Sequence, residues 1–319
     1  MTEVTVRPMA EFAGSFGSFT RIAAPSPDAL EAVSDKYGTV VRSNEFNIPV
    51  PETLLVHSIS DLKATEDWTP PIVVKDRYSV RWCGDKGMIG STGYAYSRNE
   101  LVEKVQEKLE RVGDVLVQQF TRGVGVGFAC LVLEGKITLP FQWLRVREKD
   151  PRGSGSSARI SLPLQPGIIE LSELLLKRAS FTGPAMVEFK RELGSEQLTV
   201  MEINGRPWGS MQLPIQCGIN YPLLLAQWYL DGRLPPERIN YHTGITCRSI
   251  AADLTHLENL WGGTPLGWPV PYPNFLRSLF KVIIPWYPGL KSEEISWRDP
   301  KPGLFQIARW FASHMGGGN

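Results

Sequence analysis

Two short stretches of this 319-residue chain carry oxygen donors at spacings that suit a cation. One is Ala185-Met186-Val187-Glu188-Phe189-Lys190. The other is Leu198-Thr199-Val200-Met201-Glu202-Ile203-Asn204-Gly205-Arg206. Both alternate apolar and polar residues with period two, as strands with one buried face do. Gly194 and Ser195 sit where a turn belongs. With the turn centred on position 195, Glu188 lies opposite Glu202. Asn204 and Lys190 share their face, while Val187, Phe189, Met201 and Ile203 point into a core. Two opposed carboxylates repel unless positive charge lies between them. Hard oxygen ligands with no His or Cys beside them suit Mg²⁺ or Mn²⁺, commonly shared with phosphates. Arg206 stands just past the hairpin, where a guanidinium can neutralise phosphate charge. A surface hairpin whose acids pair with Lys190 and Arg206 fits the same spacing.

Composition bounds what surrounds this hairpin. Hydrophobic residues make up 42% and charged residues 21%, the balance of an ordinary globular protein with a sizeable core. Thirty-four Lys and Arg offset 33 Asp and Glu, which argues against a nucleic-acid partner. No run of 18 apolar residues is present, so no membrane-spanning helix is expected, and no signal peptide is expected either. Cys83, Cys130, Cys217 and Cys247 are far apart with no CxxC pair, which points away from a disulfide scaffold and towards a reducing cytoplasm. No Ser-His-Asp set is evident.

The elements that must hold the hairpin read as follows. Residues 1–30 are weakly patterned. A helix opens near Ser26 or Asp28 and runs to about 44. Short strands are expected at 53–56 and 72–75, the second ending on Lys75. Residues 76–94 read as a loop containing Gly84, Gly87, Gly90 and Gly93, leading into a strand near 93–96. The clearest amphipathic helix spans 98–112. A strand covers 115–120, and Gly123 to Gly127 reads as a hairpin turn, since no helix follows to make a dinucleotide fingerprint. Residues 145–157 are polar, basic and glycine-rich, hence a flexible loop. Helices are expected at 168–180 and 222–231. Beyond 235 the chain is rich in Pro, Trp and Gly, including Trp261, Trp268, Trp286, Trp297 and Trp310. Its apolar segments near 274–284 and 304–311 are expected to pack on the main domain rather than on a membrane. Gly316 to Gly318 reads as a frayed tail. This mixed order indicates an α+β or α/β fold.

The hairpin, with its Glu-Phe-Lys and Glu-Ile-Asn-Gly-Arg runs, resembles the metal-binding signature of the ATP-grasp superfamily. Other segments resemble that family in its order along the chain. They are Ser34-Asp35-Lys36 with Asn47-Ile48-Pro49-Val50-Pro51, then Ile72-Val73-Val74-Lys75, then Val115-Leu116-Val117-Gln118-Gln119-Phe120. The resemblance implies an α+β fold in which two α+β subdomains, 34–114 and 115–234, sandwich a nucleotide. A remnant of a longer N-terminal domain would occupy 1–33, and a Pro/Trp-rich extension 235–319.

It also implies roles. Lys36 and Lys75 would meet phosphates, and Gln118, Gln119 and Phe120 the adenine. Glu188, Glu202 and Asn204 would hold Mg²⁺, with Arg206 and Lys190 as catalytic cations. Arg145, Arg147 and Arg159 would clamp a second substrate. The implied activity is an ATP- and Mg²⁺-dependent ligase that activates a carboxylate as an acyl phosphate for attack by an amine or thiol. A kinase, or a non-catalytic ATP-binding module working with a partner, stands as the alternative. The chain departs from the family at Asp76, where a proline is common, and at Gln118-Gln119, where a glutamate is usual.

Overall fold

The computed structural model describes residues 2–83, 86–192, 194–284, 287–296 and 298–315. Gly84, Trp286, Trp297 and the Gly316 to Gly318 tail, singled out above, lie outside the described residues.

The chain opens with three helices, α1 (Glu3–Glu11), α2 (Pro27–Ser34) and α3 (Lys36–Glu45). One helix was expected over 26–44, and the structure breaks it at Asp35. That residue is extended, and its carboxylate accepts from the Tyr37 amide at 3.0 Å, capping α3. A short polar side chain that serves the next amides costs less at a break than inside a helix. The break makes Lys36 the first residue of α3 and turns it towards the hairpin.

The first sheet follows, with β1 (Thr53–Val56), β2 (Ile72–Lys75), β3 (Val80–Cys83), β4 (Lys86–Ile89), β5 (Thr92–Ala95), α4 (Arg98–Val112) and β6 (Val115–Gln119). Four strands form an antiparallel sheet in the order β1-β6-β2-β5. β6, expected with the second subdomain, thus pairs into the first. α4 covers this sheet through Leu101 and Val105, both fully buried. Ser97 caps its start and Gly113, at φ 79°, its end. The glycine-bearing loop folds in part as the β3–β4 hairpin. Asp76, the departure from the family pattern, is buried against Lys108 (2.7 Å), Arg111 (2.9 Å) and the Ser91 amide (2.6 Å). It ties the exit of β2 to α4.

The second sheet contains β7 (Val124–Leu133), β8 (Lys136–Asp150), β9 (Ser154–Leu162), β10 (Gly183–Arg191), β11 (Leu198–Asn204), β12 (Thr246–Arg248) and β13 (Leu290–Ser292). Their order is β11-β10-β7-β8-β9-β12-β13. α5 (Ile168–Arg178) closes one face, burying Leu175 and Leu176 against Phe128, Val187, Phe189 and Ile203. α6 (Gln212–Gln216) and α7 (Tyr221–Asp231) enclose a second cluster around Phe141, Trp143, Leu213 and Tyr221. Then come α8 (Ile250–Trp261), α9 (Phe275–Ile283) and α10 (Lys301–Met315). Residues beyond 235 are built into the fold, since β12 pairs with β9 and β13 with β12. Cys130, Cys217 and Cys247 are buried free thiols.

Two expectations need correction. The basic stretch 145–157 is not a loop, because β8 runs on to Asp150 and pairs with β9, Arg145 opposite Arg159. Charged side chains at strand ends hide a ladder that backbone pairing supports. Within the hairpin, Glu188 does face Glu202, but the register slips by one immediately afterwards, so that Phe189 pairs with Val200. The bulge puts Val200 in the core and turns Met201 to the other face.

Candidate active site

A cleft of about 910 Å³ lies between the two sheets. β2 brings Lys75 to one wall, and the segment from Gln118 to Thr121 forms its edge. β10 and β11 bring Glu188, Lys190, Glu202 and Asn204 to the opposite wall, with Arg206 just beyond and Arg145 reaching across from β8. Small residues on β7 make that reach possible. A Cβ on Gly125 would collide with the Arg145 side chain, and one on Gly127 with the Trp143 ring. So Gly125 and Gly127 are residues of β7 that leave room, not part of the hairpin turn expected over Gly123 to Gly127.

Every donor of the hairpin meets a cation or an amide. Arg145 pairs with Glu188 and lies 3.6 Å from Glu148. Lys36 Nζ stands 3.7 Å from Glu202 and donates to Ser79 Oγ at 2.6 Å. Asn204 Nδ2 donates to Glu202 at 3.4 Å, and its Oδ1 accepts from Arg206 at 3.1 Å. Arg206 is held in turn by Glu3 of α1 at 3.2 Å. Lys190 donates to the Thr121 carbonyl at 2.7 Å and lies 4.9 Å from the Phe120 ring centre. The predicted surface pairing of the acids with Lys190 and Arg206 is therefore not what forms.

Electrostatics separate the two carboxylates. Burial raises the Glu188 pKa, Arg145 opposes that, and the Glu202 charge adds to it. Glu202 is partly buried, but Lys36, Lys75 and the Asn204 amide outweigh that burial and hold it below the usual carboxylate range. Lys75 is only 7% exposed. Burial pulls its ammonium down to about 8, although Glu202 favours the charged form. Burial likewise lowers Lys190. A wall of cationic nitrogens facing two acids at close quarters is a field prepared for polyphosphate and metal together.

The donor chemistry fits Mg²⁺. Two carboxylates stand directly opposite each other, and the Asn204 carbonyl oxygen adds a third hard donor on the same face. Among the described residues no cluster of three or more His, Cys, Asp or Glu gathers. An ion here would draw its remaining ligands from phosphates or water, which is how Mg²⁺ is commonly bound. At the cleft edge, Gln118 is buried and donates to Thr53 Oγ1 at 2.6 Å, and Gln119 donates to Glu52 at 2.9 Å. Both amides are thereby engaged outside the cleft, so their backbone and Phe120 are what face it.

Arg147 and Arg159 do not line the main cleft, although Arg147 borders the second cavity beside it. Arg147 grips Asp253 of α8 through two hydrogen bonds of 2.8 and 2.7 Å. Arg159, buried, pairs with Glu293. Only Arg145 of the three expected clamp residues reaches the cleft.

Sequence reasoning missed three contributors. Trp268 packs edge-on against Phe120 (5.0 Å between centroids) and Tyr94 (5.4 Å), walling the second cavity beside the cleft. Tyr94 donates to the Arg152 carbonyl at 2.5 Å, joining the two sheets. Glu3 supports Arg206 from a segment without pattern. No local signal announces these, because each partner lies far away in the chain. A second cavity of about 580 Å³ continues from the first, sharing Arg145 and Lys190 and walled by Trp268, Pro269 and Pro271.

Comparison with known proteins follows the same outline. Residues 112–252 match a family model described as ATP-grasp in the biosynthetic pathway with Ter operon. No curated protein matches the chain. An L-amino acid ligase from Bacillus licheniformis shares 18% identity at a TM-score of 0.54, over 72% of this chain and 58% of its own. The biotin carboxylase domain of 2-oxoglutarate carboxylase from Hydrogenobacter thermophilus, solved with MgADP and bicarbonate, gives 14% and 0.60 over 76% and 55%. D-alanine–D-alanine ligase from Bacillus anthracis, complexed with ATP, gives 15% and 0.51 over 70% and 72%. The chain therefore spans little more than half the length of the first two. At these identities the likeness is one of fold. The family match runs from β6 through the carboxylate hairpin into α8, inside a fold shared with these ATP-dependent enzymes over most of the chain, and the fold of this chain is that of the ATP-grasp proteins.

Proposed function

We propose that this protein is an ATP- and Mg²⁺-dependent ligase that activates a substrate carboxylate as an acyl phosphate for attack by an amine or thiol. The observation that carries the reading is the hairpin face of Glu188, Glu202 and Asn204, set across a cleft from Lys75, with Arg145 paired to Glu188. The names of the L-amino acid and D-alanine–D-alanine ligases it resembles in fold support the ligase class.

The residues divide the work. Lys75 and Lys36 draw phosphate charge to the end of the cleft nearest Glu202. Phe120 and the backbone from Gln118 hold the base edge-on. Glu188, Glu202 and Asn204 would hold Mg²⁺, which would supply neutralisation of phosphate charge. A substrate carboxylate oxygen then attacks the γ-phosphorus, and the bond to the departing ADP oxygen breaks. Arg206 faces the charge that spreads over the transferred group. The nucleophile attacks the acyl carbon and phosphate leaves. Arg145 orients the carboxylate, and the adjoining cavity gives its body room. Positioning does most of this work, so no catalytic triad is needed.

The test is ADP release with a panel of carboxylates in the presence of hydroxylamine, read as hydroxamate. Hydroxamate formed in step with ADP is the expected result. ADP without hydroxamate for every carboxylate that stimulates turnover would move the chain to phosphoryl transfer onto another kind of acceptor.

Lys75 gives this reading a pH signature. With its pKa near 8 in the free protein, it is partly neutral at pH 8 to 9. Phosphate favours the charged form, so an ATP analogue should bind with proton uptake in that range, and affinity should fall as pH rises beyond 8. Lys75→Met should weaken binding about tenfold at pH 7 and remove most of the uptake. Calorimetry in buffers of different ionisation enthalpy measures both. Undiminished uptake in the variant would assign the proton elsewhere. The ligand-free protein should also gain stability from pH 8 towards 10, since the unfolded chain keeps this proton longer.

A further inference from the structure

Among the described residues, ten of the twenty large apolar side chains left exposed lie between positions 261 and 311. That span is about a sixth of the chain. Packing inside the fold does not account for them. α9 already seats Phe275 against Trp261 of α8 at 5.4 Å, and Ser278, buried, meets His256 of α8 at 3.3 Å. α10 is fixed to the same helix by Trp310, whose indole donates to Thr255 at 3.0 Å. Each helix then keeps a second apolar stripe on its outer side. On α9 it is Leu276, Phe280 and Ile283, and on α10 Leu304, Ala308 and Phe311, both at spacings of four and three. Leu276 is 62% exposed and Phe280 70%.

The charge beside these stripes is mainly positive. From 259 to 319 there are six Lys and Arg and three Asp and Glu, in a chain of net charge +1. The three acids are engaged with the body of the protein or their own backbone. Glu293 pairs with Arg159, Glu294 accepts from the Ile250 amide, and Asp299 accepts from the Lys301 amide. Arg277 and Lys281, exposed, flank the α9 stripe, and Lys301 and Arg309 lie on α10, neither helix containing an acid. No helix among the described residues is long and apolar enough to cross a membrane. Apolar stripes bordered by bases suit a surface that offers hydrocarbon beneath negative headgroups.

We propose that the outer faces of α9 and α10 dock this protein on anionic phospholipid, lying on the surface without spanning it. The proposal is independent of the nucleotide reading and is tested without nucleotide. Full-length protein is sedimented with vesicles of phosphatidylcholine alone, or with about a third phosphatidylglycerol. Binding to the anionic vesicles should be stronger by about tenfold or more and should fall as salt rises. Leu276→Ser/Phe280→Ser and Arg277→Glu/Lys281→Glu should each lower it by about tenfold. Unchanged circular dichroism shows that the variants fold. Sedimentation with neither vesicle, or equal sedimentation of wild type and both variants, would overturn the proposal. A dimer in ultracentrifugation that the serine variant abolishes, without lipid binding, would assign the face to a second copy of the chain and overturn it too.

Discussion

Replacing Glu202 and Asn204 together with alanine is expected to weaken Mg²⁺-dependent binding of a non-hydrolysable ATP analogue by at least about a hundredfold and to abolish turnover. Partners of metal ligands alone are commonly worth about ten- to a hundredfold, and these two residues are donors themselves. Glu202 also carries the negative charge beside Lys36 and Lys75, so its loss takes the acid from Lys36 and leaves Lys75 with Glu188 alone. Folding should survive the change. The partly buried carboxylate pair is repulsive, and removing one member relieves Glu188, whose pKa should then drop. Calorimetry with and without Mg²⁺ checks this. The discriminating quantity is the Mg²⁺ increment and not total affinity, since Lys75 and the β6 edge remain. A variant that keeps the full increment would show that the ion sits elsewhere, and the hairpin would then be a support for Lys36 and Arg206.

The hairpin was legible because its two strands alternate cleanly and Gly194 and Ser195 mark the turn. That was enough to oppose Glu188 to Glu202. It failed one residue later, because a bulge has no signature in alternation, and Met201 moved from the core to the cleft. α4 was legible from its caps and its period. Lys75 was legible because a lone lysine ends a β-branched run. The break at Asp35 was not, since Asp is only mildly unfavourable inside a helix, and its service to Tyr37 and Arg77 depends on three-dimensional context. Asp76 looked like a departure from the family, and the structure makes it an anchor for α4. Residues 145–157 failed for a related reason. Their charge and glycine content match a loop, and the acids that neutralise Arg145 and Arg147, Glu188 and Asp253, arrive from other elements 43 and 106 positions further along.

That last miss leads to a measurable difference between two roles for Arg147. A substrate clamp would leave stability intact on replacement and raise KM. The structure instead expects Arg147→Met to destabilise the fold by about 3 kcal/mol, because fully buried Asp253 would lose its two-pronged partner. Arg248, 4.0 Å away, can take up only part of the charge. Replacing both members, Arg147→Met/Asp253→Leu, should recover most of the loss, since a buried ion pair and a packed apolar pair are often similar in net worth. Denaturant unfolding of the two single variants and the double measures the coupling. Activity per folded molecule should stay near wild type in the double variant. A KM that rises in both Arg147 variants while stability holds would return the residue to the substrate. If the coupling is found, the consequence reaches the cleft. Arg145 leaves β8 two residues before Arg147, so the strand that aims Arg145 at Glu188 is pinned by α8. The segment after 235 then helps to set the geometry of the site although it adds few residues to it.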